Sequence, residues 1–468
     1  MTDKDHRDDF IPAESALSGT AASMLVGHLS KRFLIGHSRP TTFALVDSPY
    51  IPGLKLLVPG DELSPSIEGI LVGTIRMGYG HYRMALSIVS QALSQGITPY
   101  WLDLAAFPSP ESDAINFIEK YYSFGSRLSD ANPVLDKVWE RVTDSGGWAA
   151  FHLNERLAEL LSRIMGDLDR DQPLISSHIF NALIAARAGF GRVFQMIPDN
   201  TPIPIHYARG LVNFVQSRSL YAGYLGLGLP PEHLRQVGCY VDHELTANLA
   251  EDTAARLERM RRRCRRLLFT IGGAGAQRQL VMACATHLKT IVTKGQATLF
   301  INCGDHQAVL DYFRDALHAR GLAFREHIGW EALLELLQWG SGEQDAMPPG
   351  IHLCFNHDHF AAVLATNRLM RISDILVTKP SELSFYPIPK LFLHRIGRHE
   401  AMGALHAAEW GESSVECRDN EQTFRTLDLL VQETGFFRSL NENILGNANH
   451  HVYDGAAMAV RMAVGKEQ

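Results

Sequence analysis

The sequence predicts an α/β protein built from two doubly wound halves. Three observations carry that reading. An apolar run ending near Ile75 turns through Gly78, Gly80 and His81 into a helix with apolar residues at helical spacing. A second run, Leu267 to Ile271, turns through Gly272, Gly273 and Gly275 into another. Strand and helix patterns alternate after each turn, which calls for parallel sheets with right-handed crossovers. Two such glycine turns predict two Rossmann-like domains facing a cleft. Glycine permits positive φ and close backbone approach, and the free N–H groups of the next helix's first turn favour an anion such as phosphate.

Composition agrees with this class. At 468 residues, 46% hydrophobic and 20% charged, the chain can bury two ordinary cores. A net charge of −7 argues against a nucleic-acid binder that works by general charge. The six cysteines, Cys239, Cys264, Cys284, Cys303, Cys354 and Cys417, form no CxxC pair, and their scatter predicts reduced, buried thiols in a cytoplasmic protein. The opening MTDKDHRDDF is too acidic and polar for a signal peptide, and no apolar stretch reaches membrane-span length.

Taken in order, residues 1–66 read as an extension packed on the first domain, with a weak apolar segment at Phe43 to Val46. Residues 67–240 form the first domain: ILVGTI, a helix through Leu93, TPYWLDL, a helical insertion over 111–170, then PLISSH, RVFQMIPD and LVNFVQS. A charged linker helix fills 241–262. The second domain, 263–419, restarts with LLFTIGG and continues through ATLFINCGD, AFREHI, GIHLCFN, ISDILVTKP and PKLFLHR. Residues 420–468 are a helical tail, with one helix read over TFRTLDLLVQETGFF and a small-residue helix around Ala456 to Val464.

Six fragments in order resemble the GT-B glycosyltransferases of the group holding monogalactosyldiacylglycerol synthase and the N-acetylglucosaminyl transferase of peptidoglycan synthesis. They are MGYGHYRMA, IPDNTPIPIHYARGLVNFVQS, YLGLGLPPEHLRQVGCYVD, FTIGGAGAQ, SDILVTKPSE and RIGRHEAMGALHAAEWGES, spread over about residues 70 to 415. Each fragment alone is weak, and their shared order is what carries the resemblance. It implies a nucleotide diphosphate sugar donor, a UDP-sugar in this group, a hydroxyl acceptor that is a lipid in some members, at most peripheral membrane contact, and no obligatory metal or other cofactor. Two departures stand out. The group's TKPG is Thr378, Lys379, Pro380 and Ser381 here, and only SELSFYPI separates Pro380 from Pro389, where the group has a helix with a ribose-binding carboxylate. Glu382 is the one carboxylate in that stretch.

Glycosyl transfer needs a base near the acceptor hydroxyl and N–H donors or cations on the leaving diphosphate. His81, opening a helix after a strand, is the candidate base, and Asp199 is the candidate to orient or replace it; helix capping is the plainer role for His81. His206 is as readily a packing residue. On the donor side Gly272, Gly273, Ala274, Gly275 and Gln277 would surround the diphosphate, while Gly78 and Gly80 form the matching first turn. Lys379, Arg395, Arg398, His399 and Glu400 fall on loops at strand ends, where open α/β sheets bind ligands, although surface ion pairs would also explain them. The HDH of His357, Asp358 and His359 lacks a third ligand, so no metal site is expected. The run Arg261, Arg262, Arg263, Arg265 and Arg266 reads as a solvated helix end or a contact for anionic lipid. Two other functions fit the same residues: a nucleotide-sugar epimerase or hydrolase, and a regulatory protein that binds nucleotide sugars without turnover.

Overall fold

The computed structural model describes residues 11–36, 41–60, 68–76, 78–118, 147–271, 275, 277–341, 347–395 and 400–466. They divide into two compact units, one comprising Met1–Met77, Met84–Tyr240 and Asp454–Gln468, the other Gly78–Arg83 and Val241–Tyr453. Both units are α/β with a largely parallel sheet, as the glycine turns and the strand–helix alternation predict.

The first unit carries eight strands: β1 (Phe43–Asp47), β2 (Lys55–Pro59), β3 (Ile70–Thr74), β4 (Pro99–Asp103), β5 (Leu174–Ser176), β6 (Val193–Met196), β7 (Val212–Val215) and β8 (Leu234–Gln236). Their order in the sheet is β1-β2-β4-β3-β5-β6-β7-β8, and every described pairing except β1 with β2 is parallel. β3 and β4 are buried at every position, as strands covered on both faces must be, which is why they read as unbroken apolar runs. The weak segment at Phe43 is a strand of this sheet, paired residue for residue with Lys55–Pro59. The last described helix, Gly455–Ala463, packs here too. Tyr240 and Asp454 form an isolated bridge, Gly455 N–H donates to the Cys239 carbonyl at 3.0 Å, and a Cβ at Gly455 would collide with the Gly238 carbonyl.

The second unit holds β9 (Arg265–Thr270), β10 (Ala297–Asn302), β11 (Phe324–Ile328), β12 (Gly350–Phe355), β13 (Ile375–Thr378) and β14 (Lys390–Phe392). All described pairings are parallel, in the order β11-β12-β10-β9-β13-β14. Leu267, Phe269, Leu299, Ile301, Leu353 and Val377 lie in its main core. Residues 241–262 form the helices His243–Ala247 and Leu249–Arg261 within this unit. The helix expected over 423–437 is two: Asn420–Gln432 and Thr434–Asn449 meet at Glu433, whose ψ of 101° is extended. Helix starts follow side-chain chemistry, with Asp358 accepting from the Ala361 N–H at 2.9 Å and Asp419 from the Gln422 N–H at 2.8 Å.

Between β11 and β12 two buried imidazoles share one hydrogen bond. His352 Nε2 lies 2.9 Å from the Pro348 carbonyl, which can only accept, so His352 Nδ1 must accept from His327 Nε2–H, also at 2.9 Å. A proton added at His352 Nδ1 would face that donor. Burial, chiefly, and then His327 push His352 down to about 4, and burial lowers His327 as well. Because the unfolded histidine titrates near 6.5, the unfolded state takes up protons first as pH falls. Stability is therefore fully present above about pH 6.5 and is lost toward pH 4, on the order of 3 kcal/mol for His352. His352→Gln should flatten that acid loss in melts run between pH 7 and 4.5; an unchanged slope would show that the pair does not titrate as argued.

Candidate functional site

β9 sits between β10 on one side and β13 on the other, so the connections at its carboxyl end diverge. Ligands bind at such switch points in open α/β sheets. The second glycine turn follows β9 here. Gly272, Gly273 and Ala274 lie outside the described residues. Gly275 is in the left-handed region, with φ at 73°, and a Cβ there would come to 2.8 Å from a Val309 methyl, so only glycine fits. Gln277 is also left-handed at φ 65°, and it directly precedes the helix Arg278–His287. Its side-chain amide donates to the His394 carbonyl.

The neighbouring loops converge on the same edge. Thr270 Oγ1 at the end of β9 donates to Thr378 Oγ1 at the end of β13, at 2.8 Å. The Lys379 ammonium pairs with Glu400, whose side chain is almost wholly buried, so this lysine's charge is already matched. Pro380 and Ser381 follow in the turn, and Ser384 N–H donates back to the Ser381 carbonyl at 2.9 Å. Arg395 is held by Glu416, through its backbone N–H at 2.9 Å and Nη1 at 3.1 Å. Arg398 and His399 are outside the described residues. A pocket of about 300 Å³ is lined by Gln277, Leu280, Arg395, Cys417 and Arg418 among others.

Residues 78–83, read from the sequence as part of the first half, group with the second unit because their side chains are anchored there. Tyr79 Oη donates to Asp305 Oδ1 at 2.5 Å and accepts from the Asp305 N–H at 3.1 Å. Gly304 makes room for it, since a Cβ there would collide with the Tyr79 hydroxyl. On the other carboxylate oxygen, Asp305 Oδ2 lies 2.9 Å from His359 Nδ1. A carboxylate only accepts, so His359 donates its Nδ1–H to Asp305. Tyr79 stacks on that imidazole at 5.1 Å and Tyr82 meets it edge-on at 4.8 Å. Burial alone would raise the Asp305 carboxyl, but hydrogen bonds from His359 and Tyr79 outweigh it and hold the group well below the usual range. Burial and the same carboxylate raise the Tyr79 hydroxyl.

A second group of contacts holds Arg83. Its Nη1 donates to Asn367 Oδ1 at 2.6 Å and its Nε lies 3.4 Å from Glu382 Oε1. Glu382 also borders the first glycine turn, where a Cβ at Gly80 would lie 3.3 Å from Oε2. Gly78 needs its flexibility at φ 69°, and His81, half-buried, is the second residue of the helix Gly80–Ser94. Nearby in the network, Tyr386 Oη donates to Asp242 at 3.1 Å, and burial raises that carboxyl to about 6.

Asp199 belongs to the first unit. It follows β6 and lies 4.0 Å from His206 Nδ1, the pair half-exposed. The HDH residues separate: Asp358 caps a helix, His359 joins Asp305, and His357 packs against Phe355. Among the described residues no group of His, Cys, Asp and Glu is arranged to hold a metal ion. The arginine run is not one surface. Arg261 and Arg262 are exposed and paired with Glu258, and Arg263 is exposed, but Arg265 and Arg266 are buried on β9. Tyr79, Arg83, Asp305 and Asn367 were missed by sequence reasoning; the one available signal was the Gly-Asp pair that ends ATLFINCGD, an acidic residue just past a buried strand.

No described helix is long and apolar enough to cross a membrane. No curated protein matches the chain. Among solved structures it is similar to S. aureus MnaA with UDP, at 10% identity and a TM-score of 0.45 over 86% of this chain and 98% of that one. It is also similar to UDP-GlcNAc 2-epimerase from Neisseria meningitidis bound to UDP-GlcNAc, at 10% identity and 0.42 over 85% and 99%. For α,α-trehalose 6-phosphate synthase from Burkholderia multivorans the values are 10% and 0.36 over 68% and 75%. A family model described as a domain of unknown function (DUF6937) matches residues 31–225. A second, described as a domain of unknown function (DUF6938), matches residues 229–464, just over half of the chain, and the chain belongs to that family.

Proposed function

We propose that this protein is a glycosyltransferase of the GT-B group named above, moving a sugar from a nucleotide diphosphate sugar, in the first instance a UDP-sugar, to a hydroxyl acceptor. The observation that supports this most is the glycine turn at the switch point of the second sheet, running directly into the helix Arg278–His287. Backbone amides and the positive end of a helix suit a leaving diphosphate without a metal. With Lys379 matched by Glu400, those amides carry most of the neutralisation. His81 takes the acceptor's proton in this reading, and Gln277 borders the diphosphate.

UDP should raise the melting temperature, as any ligand of the native state does. Gln277→Glu places a negative charge beside the diphosphate and should weaken UDP about 10- to 100-fold at low salt, on the order of 1.5–3 kcal/mol. Titration calorimetry on both proteins checks this, and equal affinities would remove the diphosphate from this turn. A second reading, epimerisation or hydrolysis of the donor itself, is favoured by the proton-bearing group of Tyr79, Asp305 and His359 on the adjoining loops. Nuclear magnetic resonance of UDP-sugars incubated without an acceptor separates the two, since only the second reading gives products there.

A further inference from the structure

The pocket of about 300 Å³ beside Gln277 has walls fixed by hydrogen bonds. One wall is the start of the helix Asn420–Gln432. There Asp419 Oδ1 accepts the Gln422 N–H at 2.8 Å, and the Gln422 side-chain oxygen accepts the Arg418 N–H at 2.9 Å. These two bonds form a reciprocal cap that holds residues 418–420 in place. One residue earlier the Cys417 N–H donates to the Phe392 carbonyl at 2.9 Å, which ties this wall to β14. Across the pocket the Gln277 amide is held by the His394 carbonyl. A site ordered before its ligand arrives gives up little entropy on binding.

The lining is mixed in polarity and balanced in charge. Leu280 and the buried Cys417, whose thiol burial pushes up and so keeps protonated, give the pocket an apolar part. Arg418 and Asn420, both exposed, supply donors, while the Asp419 carboxylate and the side-chain oxygens of Gln277 and Asn420 supply acceptors. Arg395 is matched by Glu416 at 3.1 Å, and Arg418 is followed in the chain by Asp419, so the guanidiniums bring no surplus charge. An anion would use the donors alone and would meet the Asp419 carboxylate. A sugar ring uses the whole lining, because each hydroxyl both donates and accepts and the ring's C–H groups pack against apolar atoms. The volume is at the small end for ligand sites and suits a single ring.

We infer that this pocket receives the sugar of the donor as one uncharged pyranose ring, selected by Arg418, Asp419 and Asn420. The inference rests on the nucleotide-sugar reading above, which sets the diphosphate beside Gln277, on the pocket's own wall. It narrows the donor class, since uronic acid donors would bring a carboxylate against Asp419.

Titration calorimetry on the full chain tests this with UDP, UDP-glucuronate and a neutral donor, the tightest of UDP-glucose, UDP-galactose and UDP-GlcNAc. Arg418→Ala and Asn420→Ala, each at an exposed position, should weaken the neutral donor about 3- to 10-fold and leave UDP within about twofold. Leu280→Trp fills the pocket and should weaken the neutral donor about tenfold or more, again with UDP little changed. UDP-glucuronate should bind the wild type more weakly than the neutral donor. A wild type that prefers UDP-glucuronate, or variants that bind the neutral donor as the wild type does, would overturn the assignment. Should Leu280→Trp disturb the helix, the two alanine variants decide the matter. A chain that binds no UDP fails the nucleotide reading and this one with it, whereas UDP binding with sugar recognition untouched by the variants fails this one alone.

Discussion

His81→Ala should lower turnover by about two to four orders of magnitude, the usual range for removing a general base, while the thermal shift expected with UDP should stay close to that of the wild type. The expectation rests on position and chemistry. His81 is half-buried at the start of the helix Gly80–Ser94, in the same turn that brings Gly80 against Glu382. Neutral imidazole accepts a proton near physiological pH. The measurement is kcat on a panel of UDP-sugars and hydroxyl acceptors, paired with UDP melts. Full turnover in the variant would place the base elsewhere, with the Asp305–His359 pair next to be tested. A wild type that binds UDP and yields no transfer, hydrolysis or epimerisation across the panel would make this a nucleotide-sugar-binding protein without turnover.

Glu412→Ala should cost about 3–5 kcal/mol, because it leaves a buried lysine without its counter-charge. Lys390 and Glu412 are almost completely buried, 2.8 Å apart. Lys390 Nζ also donates to the carbonyls of Tyr386 at 2.7 Å and Ile388 at 3.1 Å. On its other oxygen Glu412 accepts from Asn447 at 2.7 Å and from the Tyr453 hydroxyl, so the pair ties β14 to the end of the helix Thr434–Asn449. Denaturant unfolding reads the loss. The double variant Lys390→Met with Glu412→Met should recover most of it, since apolar residues of similar volume replace buried pairs at little cost. A loss below about 1 kcal/mol in Glu412→Ala would mean that the remaining carbonyls already suffice.

Much of the fold was legible because parallel strands buried on both faces leave an unbroken apolar signature, as in β3 and β10. The glycine turns were legible because Gly78 and Gly275 must take positive φ. The limits were equally physical. Glu433 carries no breaker signature, so the bend between the Asn420 and Thr434 helices was invisible. Arg265 and Arg266 read as surface because charge normally means solvent, whereas both lie buried on β9, where Asp374, more than a hundred residues away, accepts from the Arg266 backbone N–H. The Tyr79–Asp305–His359 group joins three segments across 226 and 54 residues, and no local pattern encodes pairings at that range.

The placement of Gly455–Ala463 in the first unit has a consequence for biosynthesis. Cys239 and Tyr240 leave the ribosome long before Asp454 and Gly455, which close against them. At about 5–20 residues per second, the intervening chain takes roughly 10–40 s to make. Throughout that interval the first unit lacks a helix that covers part of it, and Arg192 lacks the Ala463 carbonyl to which it donates. The nascent protein therefore carries incompletely covered apolar surface while the whole of the second sheet is synthesised, the circumstance in which chaperones engage a chain.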